Sequence, residues 1–131
     1  MSFDLSGYNT VPERMTEFFE KYPEGSLKQV RYELLQVPMY ERDKESKEIR
    51  EIGVKTYLAF TAAAYRSPDD PNPGEGTAWE VVPGLTPYTK DSEMMNAETS
   101  AWGRAILAVG AADTRKGVAS REEVQNRRGD W

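Results

Sequence analysis

Residues 52–65 read Ile52-Gly-Val-Lys-Thr-Tyr-Leu-Ala-Phe-Thr-Ala-Ala-Ala-Tyr65. In an extended chain, successive side chains point to opposite faces. Ile52, Val54, Leu58, Phe60 and Ala62 then share one face, while Lys55, Tyr57, Thr61 and Tyr65 share the other. This period of two predicts a long strand with one apolar face. Upstream, residues 27–37 repeat the pattern, with Val30, Tyr32 and Leu34 on one face and Gln29, Arg31 and Glu33 on the other. Between these two runs, Tyr40–Glu51 alternates in charge without an apolar period, which predicts an exposed hairpin connection over 40–51. Downstream, residues 67–76 are dense in Pro, Asp and Gly and predict an exposed loop. A short third strand, Thr77–Val82, is centred on Trp79 and closed by Pro83-Gly84 and Pro87.

Helices flank the strands. Thr10 and Glu13 form a capping-box pattern ahead of Met15, Phe18, Phe19 and Tyr22, and Pro23-Glu-Gly25 stops that helix. Asp91 or Ser92 can cap a second helix running to about Val109. Its Ala97, Ala101, Ala105 and Ala108 recur at spacings of three and four, and Gly110 is a suitable stop. Ser120 with Glu123 predicts a short last helix through Asn126, followed by a frayed tail over 127–131. Consecutive strands joined by loops imply an antiparallel meander, and helices must cover its apolar face. The expected fold is therefore α+β: an N-terminal helix, a three-stranded antiparallel β-meander, a long C-terminal helix and a short terminal one, all in a single domain over residues 1–131.

Composition narrows the chemistry. Of 131 residues, none is Cys or His, which removes disulfides, thiolate zinc sites, cysteine nucleophiles and the commonest general base. No glycine-rich phosphate loop is present, so neither a cofactor nor nucleotide hydrolysis is expected. Met-Ser-Phe-Asp at the start has no basic or apolar leader character, no run is long enough to cross a bilayer, and a cytoplasmic location is expected. The net charge of −5 is unevenly spread: residues 28–66 carry +2 and residues 101–128 carry +3, separated by −6 over residues 67–100. Local basic faces can attract phosphate on a molecule that is negative overall.

Three features could carry function. First, the polar face of the second strand offers Lys55, Tyr57 and Tyr65 with Arg66 beyond, beside Arg31 of the neighbouring strand. Rings that stack on bases, interleaved with bases that hold the backbone, suit single-stranded nucleic acid; tyrosines are also ordinary strand formers. Second, Asn96-Ala-Glu-Thr-Ser-Ala-Trp-Gly-Arg-Ala105 is rich in small residues. A helical Gly103 costs about 1 kcal/mol relative to Ala, which points to close packing or contact, and Arg104 beside it could reach a phosphate. Arg115, Lys116, Arg121, Arg127 and Arg128 extend the basic character. Third, Asp69, Asp70, Glu75, Asp91 and Glu93 could in principle hold Mg²⁺ for a nuclease, but their spacing matches no metal loop.

The block Glu93-Met-Met-Asn-Ala-Glu-Thr-Ser-Ala-Trp-Gly-Arg-Ala-Ile106 resembles the AETSAxGRAL signature of phage recombination proteins. It is similar to the helix after the β-meander in single-strand annealing proteins of the Erf and Sak type, over residues 28–110. Tyr65-Arg-Ser-Pro-Asp-Asp-Pro71 and Ala112-Asp-Thr-Arg-Lys-Gly-Val-Ala-Ser120 also resemble a group of short actinobacteriophage single-stranded-DNA-binding proteins, over most of residues 10–128. The resemblance implies a β-β-β-α core, assembly into rings or filaments, a role in recombination in the host cytoplasm, and DNA contacts at Arg104 and neighbouring basic positions. The chain is shorter than those annealing proteins and is acidic overall. Residues and resemblance together give an expectation: a non-enzymatic protein binding single-stranded DNA as a homo-oligomer. Tyr57, Tyr65 and Trp79 would stack, and Arg31, Lys55, Arg66, Arg104, Arg115 and Lys116 would neutralise phosphate. The rival expectation is a protein-interaction module, or a DNA mimic, whose acidic middle block engages a basic host protein.

Overall fold

A computed structural model describes residues 10–110 together with 120, 122 and 123. Five elements follow in order: α1 (Val11–Lys21), β1 (Ser26–Arg42), β2 (Ile49–Tyr65), β3 (Gly74–Val82) and α2 (Glu93–Ala108). The strands form one antiparallel sheet in the order β1-β2-β3, so the architecture is the α+β meander that the alternating runs predict. The short terminal helix and the tail over 127–131 lie outside the described residues, apart from Ser120, Glu122 and Glu123.

The capping box at α1 is complete: Glu13 N donates to Thr10 Oγ1 at 3.1 Å, and Thr10 N donates to Glu13 Oε2 at 3.3 Å. Phe18 is fully buried, whereas Phe19 stays exposed. Neither candidate caps α2 through its side chain: Ser92 occupies the N-cap without such a bond, and Asp91 adopts a left-handed φ of 67°.

The core lies between α2, α1 and one half of the sheet. Phe60, Ala62 and Ala64 of β2 meet Ala97, Ala101, Ala105 and Ile106 of α2, with Phe18 closing one end. The alanine stripe lets α2 sit directly on β3. A Cβ on Gly76 would stand 2.4 Å from Ala105 N, and one on Gly74 would stand 2.5 Å from Val109 Cγ1.

The expected loop over 40–51 is corrected. β1 continues to Arg42 and β2 starts at Ile49, leaving 43–48 as the turn. There, Asp43 N donates to Glu48 O at 2.8 Å, and Glu45 N donates to Asp43 Oδ1 at 2.9 Å. The charged segments pair as strands through their backbones, with every side chain from 40 to 51 exposed. The proline-rich loop is also shorter than 67–76, because β3 begins at Gly74. Since β3 pairs no further along β2 than Thr56, the distal parts of β1 and β2 extend as a two-stranded arm.

Candidate nucleic-acid interface

The register assigns each strand residue to a face. Arg31 pairs with Thr61, Glu33 with Ala59 and Leu35 with Tyr57; across β2, Thr61 pairs with Thr77, Ala59 with Trp79 and Tyr57 with Val81. These residues occupy the face opposite Phe60, Ala62 and Ala64. Small side chains at Ala59 and Thr61 form a low centre strip between Arg31 and Glu33 on one side and Thr77 and Trp79 on the other. The Thr61 and Thr77 hydroxyls lie 2.9 Å apart and share a hydrogen bond.

Tyr57 and Trp79 stack on each other, with ring centroids 4.2 Å apart and planes 19° from parallel. Trp79 remains 47% exposed, so the pair presents an open aromatic surface. Two grooves meet at Trp79 and Glu80. The larger, of about 400 Å³, is lined by Arg31, Thr61, Thr77, Ser100 and Arg104, with the carboxylates of Glu33 and Glu123 among its walls. The other, of about 330 Å³, is lined by Lys55, Tyr57, Leu85, Thr86 and Thr89. The grooves thus combine bases, hydroxyls and rings, with acidic residues alongside.

The structure brings Arg31, Lys55, Tyr57 and Arg104 around Trp79. Arg104 is not a free cation: its Nη2 donates to Glu123 Oε2 at 2.7 Å, and the Glu123 side chain is almost completely buried. Tyr65 lies on the same sheet face as Tyr57 but eight residues along β2, about 26 Å away at strand rise. Its ring lies 5.1 Å from Lys28 Nζ. Arg66 is bound into its own loop. Its Nε and Nη2 donate to the two carboxylate oxygens of Asp70 at 2.8 and 2.9 Å, and Nη2 also donates to Asn72 O. These bonds from Arg66, side chain first and then backbone, hold the Asp70 carboxyl well below the usual carboxylate range. Arg115 and Lys116 lie outside the described residues.

Among the described residues, no group of three or more acidic side chains is placed to hold a metal. No helix there is long and apolar enough to cross a membrane.

Sequence reading missed how the acidic side chains engage this end of the molecule. Glu122 Oε2 accepts from Val11 N at 2.7 Å, and Glu123 pairs with Arg104, whereas the bond from Glu123 N to Ser120 Oγ at 3.3 Å is the one that the Ser120–Glu123 capping pattern predicts. It also missed Arg14, which is fully buried against Gly103; a Cβ there would stand 3.1 Å from Arg14 Nη1. One signal was present: Val11, Arg14 and Phe18 share one helical face at spacings of three and four. No family model matches the chain, and neither the curated proteins nor the solved structures contain a significant match.

Proposed function

We propose that this protein binds single-stranded DNA across the open sheet face, without catalysing a reaction. The observation that carries the reading is the Tyr57–Trp79 ring pair at the junction of two grooves, with Lys55 on one side and Arg31 and Arg104 on the other. An exposed ring pair gives an unstacked base a flat partner, worth roughly 1–3 kcal/mol per base. Lys and Arg on either side can follow a phosphate backbone, and the exposed Thr77 hydroxyl, accepting from Thr61, can donate to a sugar or phosphate oxygen. A base stacked inside a duplex cannot offer its face to Trp79, so single strands are preferred. The resemblance of residues 93–106 to recombination proteins supports the same reading and adds strand annealing as the candidate role.

Titration of labelled single- and double-stranded oligonucleotides against wild type and Trp79→Ala tests this. The expected result is preference for the single strand and about a tenfold weaker complex in the variant, as one lost stack implies. Equal affinity of wild type and variant would remove the ring pair from the interface. Absence of nucleic-acid binding, with a stable complex to a basic protein, would favour the interaction-module reading instead.

A further inference from the structure

We infer that the apolar face of the β1–β2 arm is a self-association surface whose occupant is the same face of a second copy of this chain. The inference is independent of the nucleic-acid reading, because it concerns the opposite side of the sheet. Tyr32 stacks alongside Phe60 on the face that α2 covers, and Leu34 pairs with Leu58 one step further along. α2 covers the half of that face around Ala62 and Ala64, but its apolar residues do not end there. Further along, the same face carries Gln36 opposite Thr56, then Val54, Tyr40 opposite Glu51, and Ile49 opposite Arg42, with Ile52 as the extra residue of the bulge opposite Met39–Tyr40. A second apolar group around Val54 and Tyr40 therefore lies beyond one polar pair.

The area suits a dimer. Tyr32, Leu34, Tyr40, Ile49, Ile52 and Val54 are 53 to 67% exposed. By typical side-chain areas they offer roughly 700 Å², against ~800 Å² per partner in a standard interface.

Charge also favours a second copy. Residues 42–51 contain Arg42, Lys44, Lys47 and Arg50 against Asp43, Glu45, Glu48 and Glu51, so the arm tip is neutral although the chain carries −5. Two arms can therefore meet without accumulating like charge, and a neutral tip gives an anionic lipid surface little to attract. Two sheet faces pack about 10 Å apart, and a two-fold contact using one patch twice closes on itself. This differs from addition of strands at the sheet edges, which would extend the sheet.

Sedimentation of wild type over a range of concentrations should give twice the chain mass, and Leu34→Glu with Val54→Glu should give the single-chain mass with an unchanged circular dichroism spectrum. The chain has no cysteine, so single cysteines provide a second measurement that leaves the apolar face largely intact. A bismaleimide should join Val54→Cys into dimers but leave Lys55→Cys, on the opposite face, as single chains. A wild type that stays monomeric, an assembly that survives the double glutamate variant, or equal cross-linking at both positions would overturn the inference. Oligonucleotide affinity of the monomeric variant bears only on the nucleic-acid reading.

Discussion

Arg14 occupies a place in α1 where a hydrocarbon side chain would be expected. It is fully buried, and burial lowers its pKa, opposed chiefly by the negative charges of Glu123 and Glu122. Removing one partner from a buried charge cluster leaves the others uncompensated, at about 3–5 kcal/mol. Arg14→Ala should therefore lower unfolding stability by about 3 kcal/mol in denaturant titration; a change below about 1 kcal/mol would show that the acidic residues do not depend on it. Asp70 permits a pH prediction. Its folded-state pKa is depressed by bonds from Arg66, so its stabilising contribution is complete above the ordinary carboxylate range, about pH 4, and is lost as pH falls through the lowered value. Asp70→Asn lacks this contribution. The stability gap between wild type and variant should be widest near neutrality and narrow in strong acid, and a gap independent of pH would refute the assignment.

At the scale of elements, close approach of α2 to β3 is the main constraint. A methyl at Gly76 would collide with the backbone of Ala101 and Ala105, which cannot move aside as a flexible side chain would. Gly76→Ala should cost about 3 kcal/mol, at the upper end for overpacking, read as a lower thermal midpoint; an unchanged midpoint would mean that the helix docks less closely. The Thr10–Glu13 cap, the alternation over 52–65 and the alanine stripe of α2 were legible because each is a local pattern with a single physical cause. The arm was not legible. Residues 40–51 are held by backbone pairing, and their exposed charges carry no apolar period. The candidate site was legible in part. Alternation alone separated Lys55 and Tyr57 from Phe60, but the Tyr57–Trp79 stack depends on cross-strand register. The pairing of Arg104 with Glu123 spans 19 residues, a separation with no periodic signature.

For the whole molecule, charge distribution matters more than its sum. The chain carries −5, yet Arg31, Lys55 and Arg104 gather around one aromatic surface. Each phosphate neutralised on a single strand contributes about −0.7 to the slope of log affinity against log salt. Three cations set an upper magnitude of about 2 for that slope, and the Arg104–Glu123 pair lowers it toward one. A flat salt response would point to a partner other than nucleic acid. Stacking of bases on Trp79 is tested most directly by fluorescence of a variant in which Trp79 is the sole tryptophan, made by Trp102→Phe and Trp131→Phe. Addition of a single-stranded oligonucleotide should quench Trp79 emission in a saturable manner, and an equal duplex should quench it far less. Oligonucleotide binding that leaves Trp79 emission unchanged would contradict the account.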